Sequence, residues 1–239
     1  MLRYLISTML LWSALTVAAG DSKRIEYEAS YLGIPLLDMT LTWTELDSTV
    51  LISYDNQLKS LIGYFHPIHN IYTVRFLRKK YDPLSWSKKI SEGSMKFLLS
   101  AERSQDGATV KYSNGVKREF PEEGFTVFSA THFLAAKAHD PAFFPNTLNV
   151  LIDGEYWKAE VSRYTPASPH PDHTLPQNQT LIQADLHYIS GKRVMDENDI
   201  LMSVIATEGT RFLLWVLPDG TYTKAQFGEF PRAVVLIRL

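Results

Sequence analysis

Cysteine is absent from all 239 residues. Disulfides are therefore excluded, and so is a lipid anchor on a cysteine just after a signal segment. Small secreted animal domains commonly rest on disulfides, so their absence tilts the reading towards a bacterial periplasm. Strong charge is absent too. With 24 basic and 26 acidic residues the chain carries a net charge of −2, which leaves no global electrostatic footprint for nucleic acid. An anionic partner would have to meet a local patch. Beyond the N-terminus no stretch is long and apolar enough to span a membrane, for which about 20 residues are needed. No Gly-rich phosphate loop, His-Glu-x-x-His or Gly-x-Ser-x-Gly occurs, which removes the common sequence signs of nucleotide binding, zinc proteolysis and serine hydrolysis.

What is present begins at the N-terminus. Arg3 precedes an apolar run from Tyr4 to Val17, followed by Ala18, Ala19, Gly20 and then Asp21. A positive start, a short apolar core and small residues make a secretory signal. Ser7, Thr8, Ser13 and Thr16 interrupt the core, which argues for cleavage rather than a retained anchor. The expected division is a signal peptide at 1–20 and one β domain at 21–239, with no transmembrane segment in the mature chain. Asn178-Gln179-Thr180 fits the glycosylation triplet, which matters only in a eukaryotic secretory route.

Alternation with period two dominates the rest. Ile25, Tyr27, Ala29 and Tyr31 alternate with polar residues, as do Leu37, Met39, Leu41 and Trp43. Val50, Ile52 and Tyr54 continue the pattern, then Tyr72, Val74 and Phe76. Leu84 with Trp86, Met95 with Phe97 and Leu99, and Leu148 with Val150 and Ile152 follow. Each run gives a strand with one apolar face, as in antiparallel sheets. Glu92-Gly93, Asp106-Gly107, Asn114-Gly115, Asp153-Gly154 and Asp219-Gly220 fall between the runs, and Asn-Gly and Asp-Gly suit tight hairpin turns. The spacing predicts roughly ten or eleven strands in up-and-down order.

Two segments break the pattern. Ala130, Phe133, Leu134 and Ala138 recur at helical spacing, with Ser129 as cap and Asp140-Pro141 as stop, predicting a helix over Ser129–His139. A shorter helical turn is suggested by Leu58, Leu61, Ile62 and Phe65, ended by His66-Pro67. Thr165 to Thr180, with four prolines and two histidines, reads as a long exposed loop inside one domain. The fold class is mainly β: a single curved antiparallel sheet or partly open barrel with one short helix against its mouth or face. A β-sandwich is the alternative.

Several of these residues together resemble an exported bacterial family, domain of unknown function 3108. Tyr27-x-x-x-Tyr31-x-Gly33-Ile34-Pro35 before an alternating strand is similar to its start. Tyr81-Asp82-Pro83-Leu84 with Glu92-Gly93 resembles its central hairpin. The Ala/Leu-rich helix and Phe227-Gly228 before the last strand complete the likeness, over most of Ile25 to Leu239. The Pro/His-rich loop and Gly191 to Thr210 depart from the pattern. The resemblance implies an envelope location and a β fold, and it carries no catalytic residues.

Chemistry-bearing motifs are sparse. His66-x-x-His69 and His170-x-x-His173 have a spacing that a metal can use, but neither has a third ligand in register. Exposed loop histidines are the plainer explanation. Ser85-x-x-Lys88 matches a penicillin-binding signature only in letters, since its residues alternate on a strand and the companion motifs are missing. Arg75, Arg78, Lys79, Lys80, Lys88 and Lys89 lie on two strands joined at Asp82-Pro83. They make either a basic patch for anionic envelope polymers or, more plainly, a solvated face that discourages edge pairing.

These observations assign no catalytic, cofactor-binding or metal residue, and no cofactor. The leading expectation is a non-catalytic periplasmic or cell-envelope protein that binds an apolar ligand such as a lipid, or an envelope protein partner. Candidate apolar-ligand contacts are Trp43, Trp86, Phe97, Phe133 and Leu134, if the curved sheet leaves a cavity rather than a filled core. The rivals are a metal-assisted hydrolase using His170, Asp172 and His173, and a purely structural envelope protein.

Overall fold

The computed structural model describes residues 21–58, 67–164, 178–197, 199–229 and 233–239. Among them, fifteen strands build one sheet. The first eight are β1 (Ser22–Tyr31), β2 (Ile34–Leu46), β3 (Thr49–Leu58), β4 (His69–Leu77), β5 (Pro83–Glu92), β6 (Met95–Arg103), β7 (Thr109–Tyr112) and β8 (Lys117–Glu119). After β9 (Gly124–Thr126) comes helix α1 (Val127–Lys137), then β10 (Asn146–Ile152), β11 (Glu155–Tyr164) and β12 (Thr180–Gly191). A short helix, α2 (Ile200–Ile205), precedes β13 (Arg211–Val216), β14 (Tyr222–Phe227) and β15 (Val234–Arg238).

Across the sheet the order is β8-β7-β6-β5-β4-β3-β2-β1-β15-β14-β13-β12-β11-β10-β9. Chain neighbours are sheet neighbours almost throughout, as short hairpin turns dictate. The exception joins the two ends of the described chain: β1 pairs with β15, Tyr27 opposite Arg238 and Tyr31 opposite Val234. Every pairing is antiparallel except β9 with β10.

The expected alternation sets the inner face. Tyr27, Leu41, Ile52, Tyr72, Val74 and Phe76 are buried, and the intervening residues are more exposed. β13 breaks alternation as Phe212-Leu213-Leu214-Trp215-Val216, because both its faces are covered: Phe212, Leu214 and Val216 join the main core, whereas Leu213 and Trp215 pack with Leu181.

β8 and β9, the sheet edges, do not pair with each other. The sheet nevertheless curls until its two ends meet through side chains. Leu99, Ala101, Val110, Tyr112 and Phe120 from one end pack with Leu151 and Val194 from the other. Tyr156 donates to the Glu119 carbonyl at 2.8 Å, and Asn114 Nδ2 to the Val194 carbonyl at 2.7 Å. The fold is therefore one curved, barrel-like sheet without a closed ladder, not two stacked sheets.

Three differences from the sequence expectation have physical causes. Fifteen strands replace ten or eleven, three of the extra ones being β7, β8 and β9, whose four, three and three residues are too few to display a period. α1 starts earlier than predicted: Thr126 is the cap, accepting from the Ser129 amide, while Ser129 Oγ accepts from the Thr126 amide in a capping box. The basic cluster is split, since Lys88 faces inward and is buried while Lys89 faces solvent, as adjacent strand residues must. Among the described residues no helix is long and apolar enough to cross a membrane. Leu58 ends β3, and Leu61, Ile62, Phe65 and His66 lie outside the described residues.

Candidate functional site

α1 does not cover the sheet from outside; it lies within the curl. Val127, Ala130, Thr131, His132, Leu134, Ala135 and Ala138 are all buried. A helix apolar on most sides belongs in an interior. Its two ends face two different spaces.

The first is an apolar cavity of about 300 Å³, at the lower end of the roughly 300–1,000 Å³ typical of small-molecule sites. The ends of β1 and β3 and the starts of β2 and β4 wall it, through Leu37, Met39, Tyr54 and Tyr72 among others. β14 and β15 contribute Phe227 and Leu236. Phe128 of α1 and Ile200 and Leu201 of α2 complete the lining. Asp199 caps α2 by accepting from the Met202 amide at 2.9 Å, so the cap fixes where Leu201 stands.

One corner of this cavity is polar. Asn56 and Asn70 are cross-strand partners on β3 and β4, and Glu92 ends β5. Glu92 Oε1 accepts from Asn70 Nδ2 at 2.6 Å and from the Ile200 amide at 3.2 Å. Asn70 Oδ1 accepts from the Ser91 amide at 3.1 Å. Among the described residues, no Lys, Arg or His is in the lining.

Behind that corner lies a buried ion cluster. Lys88 Nζ donates to Asp153, at the β10–β11 turn, and to Asp199 Oδ2 at 3.2 Å. Tyr72, which lines the cavity, donates to Asp199 Oδ1 at 2.6 Å. Burial raises the Asp153 carboxyl above its usual range, and Lys88 opposes that rise. Tyr72 is pushed well up, first by burial and then by Asp199. The cluster ties β5 to the opposite end of the sheet, and each of its charges has an opposite partner, as buried charges require.

The second space, at the other end of α1, is wider and more polar. Asp21, Lys23, Trp43, Glu45, His132, His139 and Asp219 are among its lining residues. Between the two spaces, Tyr27 Oη donates to the Tyr222 carbonyl at 3.0 Å, and Tyr54 Oη lies 2.6 Å from His132 Nε2. Burial lowers the His132 pKa to about 3, so the ring is neutral.

Of the five candidate contact residues, Trp43 lines the polar space, edge-on to His132 with ring centroids 5.2 Å apart. Leu134 borders a void of about 30 Å³. Trp86 packs on Tyr112 and Phe120, Phe97 lies under the Lys88 ammonium, and Phe133 stacks on Phe125. None of the five borders the 300 Å³ cavity. Its aromatic lining from α1 is Phe128, which sequence periodicity passed over; the pair Asp199 and Met202, a cap three residues ahead of an apolar position, was the available signal for α2. Among the described residues no three His, Asp or Glu side chains converge as a metal site requires. His66, His170, Asp172 and His173 lie outside those residues.

Fold and cavity together define a curled, barrel-like β protein with an apolar interior space. The chain is similar in structure to a β-barrel-like protein of domain of unknown function DUF1849 from Brucella abortus. The TM-score is 0.53 at 9% identity, covering 93% of this chain and 97% of that one. The likeness shows the fold. No protein-family model and no curated protein matches the sequence.

Proposed function

We propose that this chain is an exported, non-catalytic binding protein that holds an apolar ligand in the cavity between α1, α2 and the sheet. The observation that carries the reading is the cavity itself, about 300 Å³ of mostly apolar space inside a sheet long enough to have filled it with side chains. Interiors are normally packed to the density of organic crystals, so a space of this size is a feature to be explained. The N-terminal pattern of Arg3, Tyr4–Val17 and Ala18-Ala19-Gly20 supports export to a bacterial periplasm or cell envelope. The short motifs shared with domain of unknown function 3108 support placing the chain near that family.

Native mass spectrometry of protein purified from its own cell envelope tests the reading. A retained lipid-sized mass, lost in a Leu201→Trp variant that fills the cavity, is the expected result. A wild-type protein that carries nothing and takes up no apolar probe removes the ligand from the account. N-terminal sequencing of the same material should begin at Gly20 or Asp21; an intact Met1 in the membrane fraction would instead mean a retained anchor.

A further inference from the structure

We infer that the wider space at the other end of α1 is a second binding site, independent of the apolar cavity, and that its ligand is an uncharged saccharide. At about 700 Å³ the space falls within the range of small-molecule sites, roughly 300–1,000 Å³. Two side chains in its wall carry polar atoms that the fold does not use. His132 is 8% exposed and borders the space. Its Nε2 lies 2.6 Å from the Tyr54 hydroxyl, and Tyr54 belongs to the wall of the apolar cavity. Nδ1 is therefore the polar atom left for the second space, and it has no hydrogen-bond partner among the described residues. The Tyr81 hydroxyl has none among them either. Tyr81 holds φ at +57°, a conformation that bulky residues rarely adopt and that gathers at ligand sites. A buried imidazole nitrogen without a partner is costly, and a ligand supplies what the fold does not.

The charges around the space set the charge of the ligand. Glu45 is paired with Arg78. His139 has both ring nitrogens engaged, 2.9 Å from the Leu217 carbonyl and 3.2 Å from the Thr180 hydroxyl. Asp219 accepts from the Thr221 amide and hydroxyl at 2.9 and 2.6 Å. The carboxylates of Asp21 and Asp219 are balanced by the cations of Lys23 and Arg238, and the His132 imidazole at the inner wall is uncharged. An ion of either sign would thus give up water for a site with no counter-charge to spare, which is expensive. A hydroxyl both donates and accepts, so it suits Nδ1 in either tautomer and the Tyr81 hydroxyl as well. Trp43, the cross-strand partner of Lys23, sets an apolar wall beside these groups. A pyranose ring, with hydroxyls at its edge and C–H groups on its faces, matches a wall that alternates in this way.

The test is an NMR titration of the exported chain, carrying isotope-labelled histidine, with trisaccharides of one size and different charge. Maltotriose and tri-N-acetylchitotriose are neutral; trigalacturonate is anionic, and deacetylated chitotriose is cationic at mildly acid pH. At least one neutral trisaccharide should bind and shift the His132 Nδ1 resonance. The charged pair should bind about tenfold or more weakly, as burial of a charge without a partner requires. Tyr81→Phe keeps the ring and removes the hydroxyl, and should weaken the neutral ligand about fivefold, the effect of one lost hydrogen bond. The saccharide should also leave N-phenyl-1-naphthylamine, a neutral probe of the apolar cavity, in place. A His132 resonance that neither neutral trisaccharide moves overturns the proposal. So do charged trisaccharides that bind as tightly as the neutral ones, an affinity untouched by Tyr81→Phe, and displacement of the probe by the saccharide. A chain that takes up no apolar probe yet binds the neutral saccharide at His132 refutes the apolar-ligand reading and supports this site.

Discussion

Lys88 Nζ stands 3.2 Å from Asp199 Oδ2, although 111 residues separate the two in the chain. Lys88 belongs to β5, Asp199 caps α2, and Tyr72 from the cavity wall shares the same carboxylate. The pair therefore does two things at once. It fastens one end of the curled sheet to the other, and it sets the helix from which Ile200 and Leu201 enter the cavity.

Removing Lys88 should be among the most damaging single changes. Lys88→Ala leaves Asp153 and Asp199 buried without their cation, for which a loss of about 3–5 kcal/mol is usual. Lys88→Met combined with Asp199→Asn removes both charges and should recover a substantial part of that loss. Urea midpoints of wild type, single and double variants measure it. A Lys88→Ala midpoint equal to wild type would mean that the cluster is not held as described.

His132 should make the fold acid-sensitive. Its folded pKa is lowered to about 3 by burial, against about 6.5 in an unfolded chain. The unfolded state therefore takes up the proton first, and this contribution to stability falls as pH drops from about 6.5 towards 3. By pH 4.5 the loss from this one group is about 3 kcal/mol. Asp153, with its carboxyl raised, acts in the opposite sense, gaining stability as pH falls. It is common to wild type and His132→Gln, so the difference between their stability–pH curves isolates the histidine. Parallel curves would show that His132 titrates normally.

Gly154 closes the β10–β11 turn with φ at +92°, and a Cβ there would lie 2.5 Å from Val194 Cγ1. Gly154→Ala meets both the left-handed backbone and the clash, so a loss above about 1 kcal/mol is expected. Because Asp153 is the preceding residue, the Lys88 contact should loosen as well. Thermal melts of Gly154→Ala and of the Lys88→Ala/Gly154→Ala pair check this; fully additive losses would mean that the turn and the ion cluster are independent.

Phe128 and Phe133 sit on the same helix and should behave differently. Phe128 lines the cavity, whereas Phe133 packs among Phe125, Tyr81 and Phe143. Both changes to Ala should destabilise, by up to about 3–5 kcal/mol for a packed aromatic. Only Phe128→Ala should alter binding of an apolar probe. Equal effects on binding would mean that the cavity extends further than its described walls.

Much of the fold was legible because alternation is a direct imprint of a one-sided sheet. Tyr27, Leu41, Ile52 and Val74 could be assigned to the inner face from period alone. The curl was less legible, since it is fixed by contacts such as Asn114 with Val194 that join segments 80 residues apart. The site was the least legible part. Trp43 and Trp86 attract notice by size, yet size does not say whether an aromatic fills space or borders it. Asn56, Asn70 and Glu92 look like ordinary polar strand residues until three strands bring them to one corner. Lys88 reads as one of a run of surface cations, and only its parity on β5 turns it inward.

The pairing of β1 with β15 has a consequence for how the chain comes together. β1 to β8 and β10 to β15 are each built from neighbours in sequence, and local contacts of this kind form early and fast. The backbone ladder that unites the two halves is made by Val234–Arg238 with β1. The strands on either side can thus pair locally before β1 meets β15, but the interior between them stays open to water until that ladder forms. Without β15 the two halves would be joined only by side-chain contacts such as those of Lys88 with Asp153 and Asp199.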